Sequence, residues 1–350
     1  MSKRPGAKSR AVSPPFRWEA DPNTLTILTV LKTYPSNEVA IVGCHTAQMS
    51  RNSCEYDLLV VSRDQTPPKY VRSGESYAKI VFRSEKELRN PGPELCASLA
   101  VATVLRDTSL LLAGVVASSR RRFKDSCVKA AESHLAAALK ALGRVDEEVI
   151  NDPPEAAFWL NSAAIDLAKS EVFSSLQIPS PSHLFAQMKG LSKRRSVSFK
   201  EWTEASGFNL ASRSSCDNRL ETLGVLYDVL RTTAMDFRMT LKFGSYRAEE
   251  AMAIVRGKAD ELLASLETVE CYSFLGNELV KTLLDVYAMR CHALRKEPDY
   301  SNLTGDLTFG PDRLISAGLL TGMGLVRTPD LVRAGADSLR SAVEALAAKI

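Results

Sequence analysis

The chain has 350 residues, of which 45% are hydrophobic and 25% charged, and its formal net charge is +4. That is the composition of a soluble globular protein long enough for two domains and a sizeable core. It excludes a membrane-spanning chain, since no apolar run approaches the ~20 residues a span needs, and it excludes nucleic-acid affinity arising from an overall basic field.

The seven cysteines, at positions 44, 54, 96, 127, 216, 271 and 291, are scattered, odd in number and never spaced as CxxC. Such usage fits a reducing cytosol, and the expected location is cytoplasmic. The adjacent pair Cys291-His292 points in two directions on a helix and reads as ordinary packing, not as a metal site.

Residues 1–20 mix Lys, Arg, Ser and Pro with few apolar side chains and read as a flexible basic arm, without the apolar core of a secretory signal. Asp21-Pro22-Asn23-Thr24 is expected to cap a helix whose Leu25, Ile27, Leu28, Val30 and Leu31 lie against a sheet. Two strands follow. Val39-Ala40-Ile41-Val42 is an apolar run closed by Gly43, and Leu58-Leu59-Val60-Val61 is a second one closed by Ser62 and Arg63. Glu55 and Asp57 stand two apart at the mouth of the second strand. They therefore share a face, while Tyr56 and Leu58 take the other. Two carboxylates that close repel, a cation relieves the repulsion, and hard oxygen ligands suit Mg²⁺. Gly43 has no Cβ to keep a phosphate from the backbone N–H groups, and Cys44-His45-Thr46-Ala47 is expected to begin a helix aimed at that anion.

Gly43-Cys44 after one strand, then Glu55-Tyr56-Asp57 entering the next, resembles the signature of the nucleotidyltransferase superfamily, the DNA polymerase beta-like fold. The resemblance implies an NTP bound with Mg²⁺, with Gly43, Cys44 and His45 toward the triphosphate. It implies Glu55 and Asp57 as metal ligands and catalytic residues, and transfer of a nucleotidyl group to an acceptor: a small molecule, an RNA or a protein. The sequence departs from the pattern at three places. Cys44 stands for the usual Ser and Glu55 for the usual Asp. Lys79, on the expected strand Tyr77–Phe82, occupies the place of the third acid, for which Glu75 in the preceding turn is the nearest substitute. Two readings follow: an active nucleotidyltransferase, or a catalytically degenerate nucleotide-binding or helical interaction and regulatory protein.

The hairpin Lys69–Phe82 turns at Gly74, and a short helix spans Ser84–Arg89 before Asn90-Pro91-Gly92-Pro93. Beyond Pro93 the period is helical: one helix is expected over Leu95–Val116, an amphipathic one over Cys127–Leu142, and another from Pro153, with a small-residue stripe. Ser182 is expected to cap Leu184–Leu191, residues 206–218 read as exposed loop, and long helices are expected over Arg219–Leu241, Arg247–Leu266, Cys271–Arg295 and Pro329–Ile350. The fold class is thus α+β, a small nucleotidyltransferase-like mixed sheet with flanking helices over residues 21–115, followed by a larger all-α domain over 116–350. Two basic runs, Arg120-Arg121-Arg122 and Lys193-Arg194-Arg195, offer weak nucleic-acid contacts, although solvated faces account for them better.

Overall fold

The computed structural model describes residues 24–63, 68–73, 76–193, 198–236, 248–300, 303–308 and 317–350. The basic arm, the Asp21-Pro22-Asn23 cap, the Gly74-Glu75 turn, Arg194 and Arg195 lie outside those residues.

Helix α1 (Thr24–Thr33) precedes strand β1 (Val39–Val42). The chain then passes through β2 (Tyr56–Val61), β3 (Lys69–Ser73) and β4 (Ser76–Arg83). Next come α2 (Glu85–Arg89), α3 (Pro93–Ala100), β5 (Thr103–Arg106) and α4 (Leu111–Arg121). The sheet runs β3-β4-β2-β1-β5, with β2 and β4 parallel and the other neighbours antiparallel. Alternation along each strand gives it two apolar faces. Tyr56, Leu58, Val60, Ala78, Ile80 and Phe82 meet Ile27 and Val30 of α1 on one face. Leu59 and Val61 meet Leu88, Leu99, Leu112 and Val115 from α2, α3 and α4 on the other.

Where one helix was expected over Leu95–Val116, the chain forms α3, then β5, then α4. Thr103 and Val104 are β-branched and favour extended backbone. The free edge of β1 supplies the ladder partners a strand needs, Val104 lying opposite Ala40. Local periodicity cannot see that edge. Serine 84 caps α2 with a full capping box: its hydroxyl accepts from Glu87 N at 3.2 Å, and Glu87 Oε2 accepts from Ser84 N at 2.8 Å. Replacing Ser84 by Ala is expected to cost about 0.5–2 kcal/mol in a urea titration.

The helical part comprises α5 (Phe123–Glu148), α6 (Pro153–Ser174), α7 (Leu184–Ser192), α8 (Phe199–Ala205), α9 (Arg213–Asp236), α10 (Ala248–Ala264), α11 (Thr268–Ala293), α12 (Leu303–Thr308), α13 (Ala317–Gly322) and α14 (Pro329–Ala347). One large core joins these helices, with Trp202 of α8 edge-on to Phe208 at its centre. The stretch 206–218, expected as exposed loop, is partly structured: Phe208–Leu210 makes a 3₁₀ turn and α9 starts at Arg213, because Cys216 is drawn fully into that core. Among the described residues no helix is long and apolar enough to cross a membrane. The architecture is α+β, a small mixed sheet and a larger helical part.

His134 ties α5 to two neighbours. Its Nδ1 lies 2.9 Å from Asp166 Oδ1 of α6, and its Nε2 lies 3.1 Å from Glu94 Oε1 of α3. Burial favours the neutral ring and Lys169 opposes its charge, but Asp166 and Glu94 outweigh both and raise the imidazole above its usual 6.5. Glu94 is correspondingly lowered from 4.5, chiefly by its contact with His134. A raised histidine stabilises the fold below its unfolded value and loses that contribution as pH rises through the folded one; a lowered glutamate contributes above its unfolded value and loses it as pH falls. The junction is therefore tightest between about pH 4.5 and 6.5. The urea midpoint is expected to fall between pH 6 and pH 8.5, and His134→Gln is expected to flatten that slope.

Candidate functional site

Strand register sets the site. Val42, the last residue of β1, pairs with Asp57 of β2, so the chain leaves β1 directly beside that carboxylate. Gly43 turns there with φ +80, and a Cβ on it would stand 2.5 Å from Asp57 Oδ2. Only glycine fits so close an approach in the left-handed region. Thr46 closes the turn, donating its hydroxyl to Gly43 O at 2.8 Å. The helix expected from Cys44 is a single 3₁₀ turn, Gly43–His45, which is too short to direct a helix terminus at an anion.

Cys44 is buried and turns its thiol toward Cys54. His45 stacks on Tyr56 with ring centroids 3.9 Å apart, and its Nε2 lies 3.3 Å from Cys54 O, so its ring packs the turn. The candidate triphosphate-facing residues Gly43, Cys44 and His45 thus sit together at one end of the sheet, next to Glu55 and Asp57.

Both acids have a lysine beside them. Lys258 of α10 places Nζ 2.5 Å from Glu55 Oε2, and the two side chains are only 8% and 15% exposed. The same ammonium donates to Ser182 Oγ at 2.8 Å and lies 5.7 Å from the Phe274 ring centroid. Ser182 therefore serves Lys258, and α7 begins after His183 without a side-chain cap. Parallel pairing sets Lys79 of β4 opposite Asp57, on the same face of the sheet. Burial alone would push the Glu55 carboxyl up, but the Lys258 ammonium, aided by Lys79, outweighs it and holds the group at about 2. Asp57 goes the other way: burial, then the Glu55 charge, push it up to about 6 against the pull of both lysines.

A divalent cation between Glu55 and Asp57 would compete with Lys258 Nζ for Glu55 Oε2 and would meet the nearby positive charges of Lys258 and Lys79. This residue set does not fit Mg²⁺. Lys258 pairs with Glu55, and Lys79 adds a second positive charge near both carboxylates.

The turn before β2 also bridges sheet and helices. Arg51 reaches Glu267 at 2.6 Å and Glu270 at 2.9 Å. Ser53 N donates to Glu261 Oε2 at 3.0 Å, and the Ser53 hydroxyl contacts the same oxygen. Cys54 Sγ lies 3.3 Å from His183 Nε2. The Cys54 thiol is held low, at about 4, by the Cys44 thiol first and then, against burial, by His183 and Lys258, while Cys44 is pushed up.

The chain as a whole is distantly similar to a solved nucleotidyltransferase-like protein. That protein comes from Exiguobacterium sibiricum 255-15; the two chains superpose with a TM-score of 0.32 at 12% identity, over 85% of this chain and 84% of the other. No protein-family model and no curated protein matches the sequence.

Sequence reading missed Lys258, His183 and the acids of α10 and α11. A signal for Lys258 existed: it falls four residues after Ile254 and four before Leu262, on the buried stripe of an amphipathic helix, where an unpaired lysine is not tolerated. Of the basic runs, Arg120, Arg121 and Arg122 are exposed, with Arg120 Nε donating to Ala100 O at 3.0 Å, and Lys193 is exposed at the end of α7.

Proposed function

We propose that this chain is a nucleotidyltransferase-like protein without metal-dependent transferase activity, and that it acts as an interaction or regulatory protein. The observation that carries the proposal is the buried Lys258–Glu55 pair, 2.5 Å apart. It places a helical-domain cation where the resemblance calls for Mg²⁺, while Lys79 stands where the third acid belongs. Two-metal transfer depends on carboxylates free to hold ions at the attacking and leaving oxygens; here the Glu55 charge joins the sheet to α10. Nor is Lys258 free for phosphate, since it is paired with Glu55.

The test is calorimetry of the purified chain with non-hydrolysable ATP and GTP analogues, with and without Mg²⁺, beside Asp57→Asn. The expected result is no binding that requires both Mg²⁺ and Asp57. Tight triphosphate binding that needs Mg²⁺ and vanishes in Asp57→Asn would overturn the proposal and return the chain to the active reading. Lys79→Asp is expected to leave the fold intact.

A further inference from the structure

We infer that Cys44, Cys54 and His183 form a zinc site that staples the sheet to the helical part. The three residues come from three places: Cys44 from the turn after β1, Cys54 from the approach to β2, and His183 from the entrance to α7. All three are buried, and their Sγ, Sγ and imidazole nitrogen atoms lie within 4.8 Å of one another. Among the described residues no other trio of potential ligands converges so closely.

The donor set selects the ion. Two sulfurs and an imidazole are soft to borderline ligands, which suit Zn²⁺ and do not suit Mg²⁺ or Ca²⁺. Bond lengths of about 2.3 Å to sulfur and 2.0–2.1 Å to nitrogen put tetrahedral ligands roughly 3.3–3.8 Å apart. Cys54 Sγ and His183 Nε2 already stand at 3.3 Å. The trio therefore needs no more than roughly 1–1.5 Å of further closure to surround an ion.

The surroundings preorganise the ligands. Arg51 with Glu267 and Glu270, and Ser53 with Glu261, fix the turn carrying Cys54 to α10 and α11, while the Lys258–Ser182 contact fixes the residue before His183. A rigid supporting shell of this kind is what a metal site requires. Of the three ligands, His183 also borders a cavity of about 480 Å³, lined by Met49, Arg51 and Gln187 among others, from which an approaching ion would first meet the site. Binding displaces thiol protons, and the ion then bridges elements more than a hundred residues apart in the chain.

The experiment uses the full chain, reduced and stripped with EDTA, titrated with Co²⁺ and then back-titrated with Zn²⁺. The expected result is a thiolate-to-cobalt charge-transfer band saturating at one equivalent per chain and abolished by one equivalent of Zn²⁺. Cys54→Ala and His183→Ala are each expected to weaken binding by more than the roughly 10–100-fold cost of disturbing a group behind a ligand, while Cys291→Ala keeps the band. Circular dichroism checks that the variants fold, and Cys44→Ala replaces any that does not. A folded, reduced wild-type chain that shows no cobalt–thiolate band overturns the proposal. So does a band that survives in both Cys54→Ala and His183→Ala. Neither outcome bears on triphosphate binding, which is read separately.

Discussion

Lys258→Met is expected to destabilise the protein by about 3–5 kcal/mol, because it leaves the Glu55 carboxylate buried with its counter-charge gone. Both side chains are almost out of water, and Glu55 is held at about 2 by this ammonium above all, against the upward push of burial. The loss belongs to the unpaired charge and not to the missing contact. Lys258→Met combined with Glu55→Gln is therefore expected to recover most of it, since replacing both members of a buried pair is often close to neutral. Urea unfolding of the two variants at neutral pH measures the difference. A loss below about 1 kcal/mol in the single variant, the range of an exposed pair, would mean that water reaches Glu55 and that the carboxylate remains free to take a metal ion.

Gly43→Ala is expected to cost about 2–5 kcal/mol. The left-handed backbone at φ +80 accounts for about 1–2 kcal/mol of that in any L-residue other than glycine. The remainder is steric, about 1–3 kcal/mol, since the new methyl would stand 2.5 Å from Asp57 Oδ2 and strand pairing leaves that carboxylate little room to retreat. A double-mutant cycle with Asp57→Ala separates the two: the steric share is expected to appear as coupling between the sites, and the backbone share to persist. Zero coupling would show that Asp57 swings clear, and that the turn is not built around its carboxylate.

Much of the fold was legible because its signals are local. The apolar runs at 39–42 and 58–61 each end in residues that stop a strand, and α9, α10, α11 and α14 announce themselves by period, whereas the short α12 and α13 do not. Position 103–106 was not legible. Its four residues carry no alternation distinguishable from a helix segment, and become a strand because β1 offers an edge. For the site, the spacing Glu55-x-Asp57 and the glycine before it were readable, and strand register sets Gly43 beside Asp57. Lys79 was visible as a cation out of place, and parallel register seats it opposite Asp57.

What the sequence determined by itself is therefore the kind of elements, their order and the acidic frame, since side-chain period, turn residues and strand-end glycine act within a few residues of one another. The tertiary structure decided what surrounds that frame. Lys258, His183, Glu261 and Glu270 reach it from far along the chain, and nothing in their own neighbourhoods names a partner. Only after α10 and α11 pack against the sheet end does the pair of carboxylates acquire lysines where a metal was expected, and do two unremarkable cysteines come to face a histidine. Charge and ligand geometry depend on distance in space, which local pattern does not encode.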